Sequence, residues 1–77
     1  MLRLRVVAEV DLGTLGRIIG QFANLNLTPR RVLAVAGSDK LYIEVDIVGV
    51  SERDFALIAA KVRQDPSVFD AHWYHIC

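Results

Sequence analysis

Hydrophobic residues occupy every second position at the start of the chain: Leu2, Leu4, Val6, Ala8 and Val10. A period of two is typical of a half-buried β-strand, so the pattern predicts a first strand over residues 2–10. The segment Asp11-Leu12-Gly13-Thr14 interrupts the alternation. From Leu15 the apolar positions recur every three or four residues, which predicts one face of a helix that Asp11 or Thr14 caps.

Three more strands are predicted from the rest of the chain. Asn26 is suited to the left-handed conformation that often follows a helix, so the first helix is expected to end there. A short strand is then predicted over residues 31–36, followed by a hairpin turn over residues 37–40. Strict alternation predicts a third strand over residues 41–47, and the last strand is predicted over residues 68–76.

A second helix is predicted between the third and fourth strands. Ser51 with Asp54 three residues later resembles a capping box at its start. Its inward face is predicted to carry four apolar residues: Phe55, Ile58, Ala59 and Val62. Asp65-Pro66 ends this helix, because the ring of proline is incompatible with a helix interior.

The order of elements is therefore βαββαβ, and residues 1–77 are predicted to form a single domain. Right-handed crossovers give this order an α+β, ferredoxin-like fold, with a four-stranded antiparallel sheet and two helices on one face. The first strand is then central. Its Arg3 and Arg5 are expected to face Glu44 and Asp46 on one side. On the other side we expect Asp70 and His72, and these opposite charges would stabilise the sheet.

The amino-acid composition limits the classes of function that this domain could have. Lysine plus arginine and aspartate plus glutamate number nine each, so the chain carries no broad charge that would attract nucleic acid or an anionic membrane. Apolar residues make up 53% of a chain with one cysteine, which indicates a dense core together with apolar surface covered by a second subunit. Arginines interrupt the apolar start, unlike a signal peptide, so we expect a cytoplasmic protein with no transmembrane segment.

Catalytic, metal-binding and RNA-binding interpretations find little support in the residues. His72, His75 and Cys77 lie near the C-terminus, but strand alternation puts His72 on the opposite face from the other two, so no metal site is predicted. No nucleophile has a partner triad, and Glu44 with Asp46 is explained by facing arginines. RNA-binding sheets of this topology need aromatic residues on the central strands, where only Tyr42 qualifies. Trp73 shares its predicted face with Phe69 and Ala71, which favours a place in the core. We predict that the chain is not an enzyme and has no cofactor.

One segment resembles a known family. Residues 12–28, Leu-Gly-Thr-Leu-Gly-Arg-Ile-Ile-Gly-Gln-Phe-Ala-Asn-Leu-Asn-Leu-Thr, are similar to the first turn and helix of ACT domains. Gly13, Leu15, Ile18 and Phe22 match the family pattern at the same spacing, and the βαββαβ order extends the resemblance over the whole chain. A free-standing module of this length looks most like the small regulatory subunits of acetolactate synthase.

The resemblance implies an amino-acid site at a dimer interface. The expected ligand-binding residues are Asp11, Leu12, Gly13, Thr14, Leu15, Asn26, Leu27 and Thr28. Unpaired N–H groups at the Leu12–Thr14 turn and the helix dipole are expected to bind a carboxylate, and Gly13 would allow close approach. Thr28 is expected to face the same pocket from the neighbouring subunit.

A homodimer is predicted from two features of the sequence. Gly16 and Gly20 lie four residues apart on the first helix and permit close packing, either against a partner helix or against the chain's own sheet; we favour the partner. Val32 and Ala34 are predicted at the dimer interface because pairing of second strands would cover an edge.

Two functions remain open. The first is a regulatory module that senses an amino acid or similar small metabolite. The second is a non-catalytic interaction subunit of an amino-acid biosynthetic enzyme of the acetolactate synthase type, with no working ligand site. Ala8 and Val10 favour the second, because ligand-binding members often carry polar side chains there, whereas Gly13 favours the first.

Overall fold

The computed structural model describes residues 1–76 and has the predicted order of elements. The strands are β1 (Leu2–Ala8), β2 (Arg31–Ala36), β3 (Leu41–Ile47) and β4 (Val68–His75), and the helices are α1 (Leu12–Ala23) and α2 (Glu52–Arg63). The sheet is antiparallel with the order β2-β3-β1-β4. The prediction of an α+β, ferredoxin-like βαββαβ fold with β1 in the centre is therefore confirmed.

The core lies between the sheet and the two helices. Every second residue of β1 is buried, and these side chains pack against Ile18 and Phe22 of α1 and Phe55 of α2. The predicted inward face of α2 is confirmed, since Phe55, Ile58, Ala59 and Val62 are all buried. Trp73 packs against this core, with its ring edge-on to Phe55 at a centroid distance of 5.9 Å.

The helix ends follow from local chemistry. The side chain of Asp11 caps α1, and the Ser51 hydroxyl caps α2 by accepting a hydrogen bond from the Asp54 N–H at 3.1 Å. Asn26 takes the left-handed conformation that was predicted for it, with φ of 55°. Of the two predicted caps Asp11 is therefore the one used, and α1 begins at Leu12; β1 ends at Ala8, two residues before the predicted end of the first strand.

Two predicted positions on β4 are wrong. Phe69 is 57% exposed, because the register between β1 and β4 shifts after Val7 and interrupts the alternation that would have turned Phe69 towards the core. Arg5 does face His72, but Arg3 faces Tyr74 and Asp70 lies opposite Val7. On the other side of β1 the prediction holds, because Arg3 pairs in register with Asp46 and Arg5 with Glu44.

Candidate ligand-binding site

The N-terminus of α1 is closed by its own capping residue. The Gly13 N–H donates to the Asp11 Oδ1 at 3.0 Å, and the Thr14 N–H donates to the Asp11 carbonyl oxygen at 3.1 Å. These two amides were expected to be unpaired. That expectation is wrong, because residues 12–14 form the first turn of the helix and Asp11 takes the extended backbone of an N-cap. The binding of a carboxylate at this turn stays a prediction.

Thr14 belongs to a polar cluster that ties α1 to the loop before β4. Its side chain is fully buried, and its hydroxyl donates to the Ser67 Oγ at 2.8 Å. The Ser67 hydroxyl donates in turn to the Asp65 Oδ1 at 2.6 Å. Thr14 therefore holds the helix in place, and its hydroxyl does not face solvent.

Arg17 completes this cluster on its solvent side. The Arg17 Nε donates to the Asp65 Oδ2 at 2.7 Å, and its Nη2 lies 3.2 Å from the Thr14 Oγ1. The guanidinium and the Ser67 hydroxyl hold the pKa of the Asp65 carboxyl well below its usual range. The hydrogen bond with Asp65 raises the pKa of Arg17, so both groups remain charged.

Gly13 lies between two opposite charges. A side-chain carbon added at Gly13 would stand 3.4 Å from the Arg17 Nη1 and 3.5 Å from either carboxylate oxygen of Asp11. The side chains of Asp11 and Arg17 are both exposed. Sequence reasoning missed Arg17, although a cation one turn after Gly13 was a usable signal.

The second half of the predicted site lies at the other end of α1. Asn26 and Leu27 follow the end of the helix, and their N–H groups donate to carbonyl oxygens of its last turn at 3.0 Å each. Thr28 is exposed beside a shallow hollow that Leu27 and Pro29 also line. A helix of 12 residues is about 18 Å long, so one chain does not bring the two halves together.

The predicted interface residues are all on the surface. Each residue of β2 is exposed, and among them Val32, Leu33 and Val35 are large and apolar. Gly16 and Gly20 point away from the sheet, because a side-chain carbon added at either would meet nothing within 4 Å. The alternative that these glycines fit tightly against their own sheet is therefore wrong.

A groove between the two helices was not predicted at all. Its wider part, about 600 Å³, is lined by Arg17, Gly20 and Asp65 among others. A narrower part of about 380 Å³ lies near the start of α2, between Leu25 and Leu57. The signal in the sequence was the presence of two leucines outside the apolar faces of the helices, Leu25 just after α1 and Leu57 on α2.

The histidines do not form a metal site with the residues that the structure describes. Within residues 1–76, no three His, Cys, Asp or Glu side chains come together. His72 lies 3.4 Å from Asp70, and His75 lies 3.3 Å from Glu52 on the opposite face of the sheet. Cys77, the remaining member of the group considered from sequence, lies outside the described residues. Neither helix in this part of the chain is long or apolar enough to span a membrane.

Solved structures of similar shape include domains of two proteins. The ACT domain of GTP pyrophosphokinase from Chlorobium tepidum has been solved in solution and in a crystal, and both structures have a TM-score of 0.81 and 18% identity. The match to the solution structure covers 100% of this chain and 89% of that one. The match to the crystal structure covers 95% of each chain. The C-terminal domain of the MgtC protein from Mycobacterium tuberculosis has a TM-score of 0.75 and 20% identity over 95% of this chain and 83% of that one. At these identities the similarity shows the fold. No curated protein sequence is significantly similar to the chain.

A family model adds the evidence of sequence. The model described as ACT-like domain matches residues 1–77, which is the whole chain. ACT domains are typically regulatory modules that bind small molecules, and they are regulatory rather than catalytic. The resemblance of residues 12–28 to the first helix of ACT domains is thereby confirmed, and this chain belongs to the ACT-like domain family.

Proposed function

We propose that the chain is a regulatory module that binds an amino acid or a similar small zwitterion between two copies of itself. The observation that carries this proposal is the charge arrangement around Gly13. Asp11 offers a carboxylate for an ammonium group, and the Arg17 Nη1 offers a donor for a carboxylate. Because Gly13 has no side chain, a ligand can approach its backbone between them.

This arrangement changes the chemistry expected from the sequence. A carboxylate at the bare helix N-terminus would meet the Asp11 carboxylate, which already caps the Gly13 amide. A zwitterion avoids that repulsion, since its ammonium group faces Asp11 while its carboxylate faces Arg17. The ligand-binding set of residues 11–15 and 26–28 is retained in the proposal, with Arg17 added and Thr14 in a supporting role.

The dimer is proposed to form through β2. The Gly37 N–H donates to the Lys40 carbonyl oxygen and closes the hairpin. Alternate residues of an antiparallel strand bond to the same neighbour, so every second residue before Gly37 bonds to β3. The N–H and C=O groups of the residues between them, Val32, Ala34 and Ala36, therefore point to the open edge. A two-fold axis at Ala34 would pair all of these groups with a second copy. The same axis would place Leu33 beside the partner's Val35 and cover an exposed apolar edge strand.

The two-fold axis also completes the ligand site. An antiparallel arrangement brings the start of α1 in one copy towards the end of α1 in the other, which joins residues 11–15 to the partner's residues 26–28. The glycines at positions 16 and 20 present no side chain to the open space beside α1, which permits a close approach of the two helices. The protein is proposed to act in the cytoplasm, where its cysteine stays reduced.

A thermal-shift panel of the twenty amino acids tests the ligand. A ligand at 100 times its dissociation constant adds about 2.7 kcal/mol of stability, and each kcal/mol raises the melting temperature of so small a domain by about 4–8 °C. We expect a shift with one amino acid or a few related ones, and a loss of that shift in Arg17→Met and in Asp11→Asn. Lys40→Met, in the hairpin turn, is the matched control and should retain the shift.

A second candidate function is a non-catalytic subunit that regulates an amino-acid biosynthetic enzyme, for example of the acetolactate synthase type. It is favoured by the end of β1, where Ala8 is fully buried and Val10 is apolar, so neither supplies a polar group to the site. A dimer that responds to none of the twenty amino acids, but changes the activity of purified acetolactate synthase large subunit, would support this second function and contradict the first.

A further inference from the structure

A second pocket lies within a single chain, away from the proposed amino-acid site. It is the narrower part of the groove between α1 and α2, and its volume is about 380 Å³. Pockets that hold small molecules typically measure about 300–1,000 Å³, are mostly apolar and carry a few polar groups. Leu27, Val50 and Ile58 line this pocket on the side of the core.

Two exposed leucines form the outer walls of this pocket. Leu25 is 54% exposed and Leu57 is 58% exposed, and both line it. A single exposed leucine needs no explanation, but two that face one concave space form a continuous apolar surface. An apolar molecule in the pocket would remove both side chains from water.

A cation without a partner lies at one end of the same pocket. Lys61 lines it together with the amide side chains of Gln21 and Asn24. Within residues 1–76 Lys61 takes part in no ion pair, whereas the arginines at positions 3, 5, 17 and 31 all do. Asp54 also lines the pocket, about two turns from Lys61 and near the N-terminus of α2, where the helix dipole stabilises its negative charge.

We propose that this pocket binds a small aliphatic monocarboxylate. The ammonium group of Lys61 pairs with the carboxylate, and the amides of Gln21 and Asn24 donate to its free oxygen lone pairs. The hydrocarbon chain lies between Leu25 and Leu57, over Ile58. This site is contained in one chain, so it does not depend on the dimer or on the amino-acid site proposed above.

The first test uses hexanoate and hexanol as probes, with binding followed by NMR on the ¹⁵N-labelled full chain. Hexanoate should shift the side-chain amides of Gln21 and Asn24 and saturate, and it should bind more tightly than hexanol. Lengthening the acid from butanoate to hexanoate should tighten binding about fourfold for each methylene that the pocket buries. A lack of saturable shifts, or shifts confined to residues 11–17, would overturn the proposal.

Variants separate the two parts of the pocket. Lys61→Gln should remove the preference for hexanoate over hexanol, and Leu57→Gln should weaken both probes. Lys40→Gln, an exposed lysine in the hairpin turn, is the matched control and should keep that preference. An unchanged preference in Lys61→Gln would contradict the assignment of the carboxylate to Lys61. If resonances of the pocket instead broaden with protein concentration, a second copy covers it and the proposal is wrong.

Discussion

Arg3 on the central strand and Asp46 on its neighbour are joined by two hydrogen bonds across the sheet. The Arg3 Nε lies 2.7 Å from the Asp46 Oδ1, and the Arg3 Nη2 lies 2.9 Å from the Asp46 Oδ2. The pairing covers Asp46 so completely that this residue is only 2% exposed, on the face of the sheet that has no helix. Arg3 lowers the pKa of Asp46 by this pairing, which keeps the buried carboxyl charged.

Removing Arg3 is expected to destabilise the domain. Arg3→Met leaves the Asp46 carboxylate with Arg31 at 3.5 Å as its nearest cation, and a buried polar group without its partner costs about 1–3 kcal/mol. Urea denaturation of the variant measures the loss. Arg5→Met is the matched control, because the Arg5 side chain is 53% exposed and its pair with Glu44 should contribute less than about 1 kcal/mol. Equal losses in the two variants would contradict the structural role of Asp46.

Acid should weaken the domain through Asp65. Its pKa is lowered in the folded state, mainly by the hydrogen bond from Arg17, whereas an unfolded aspartate titrates at about 3.9. The folded state therefore binds fewer protons than the unfolded state in the range between those pKa values. The stabilisation is present above about pH 4 and is lost as the pH falls below it.

Urea denaturation at a series of pH values from about 6 to about 2.5 measures this effect, because that range spans the pKa of an unfolded aspartate. Asp65→Asn should lower the free energy of unfolding at pH 6 and make it fall less steeply below about pH 4. Asp39→Asn in the hairpin turn should keep the steepness of the unmodified chain, since Asp39 forms no ion pair with residues 1–76. If the free energy of unfolding fell equally steeply with pH in Asp65→Asn and in Asp39→Asn, the result would count against the Arg17–Asp65 pair.

Much of the fold follows from local periodicity in the sequence. The bounds of β2 and β3 are as predicted, because one strand is set by a short apolar run before a turn and the other by strict alternation. The register of Arg3 with Asp46 also follows, since opposite charges at matching positions identify facing strands. Phe69 could not be placed in this way, because a bulge in a strand changes the face of later residues and leaves no periodic signal.

The candidate site was harder to predict than the fold. Residues 11–15 were identified by resemblance, but their sequence does not reveal that the Asp11 side chain turns back onto the Gly13 amide. Arg17 and Asp65 are 48 positions apart, and the pocket between the helices depends on how α1 and α2 are spaced over the sheet. Such contacts arise from tertiary packing, which single-sequence patterns do not encode.

Replacing a glycine by alanine should change the stability of the domain in opposite directions at Gly16, on α1, and at Gly49, before α2. Gly16→Ala places a methyl group in open space and should stabilise an isolated chain by about 0.5–1 kcal/mol, since alanine loses less backbone entropy in a helix. Gly49→Ala should destabilise it by about 1–2 kcal/mol, because Gly49 has φ of 75°. Melting temperatures at low protein concentration test both signs. A destabilised Gly16→Ala chain under those conditions would mean that the outward face of α1 packs within the chain.

The proposed two-fold axis at Ala34 predicts a specific cross-link. In hydrogen-bonded antiparallel pairs the two Cα atoms lie about 5.5 Å apart, which is within the range that a disulfide can bridge. Ala34→Cys in a Cys77→Ser background should therefore form a covalent dimer on mild oxidation, visible on a non-reducing gel. Phe69→Cys, which is also exposed but lies on the opposite edge strand, is the control and should stay largely monomeric on the gel. If the two variants cross-link to the same extent, the collision of exposed thiols explains the product. In that case β2 is not the dimer interface, and the amino-acid site loses the second copy that it needs.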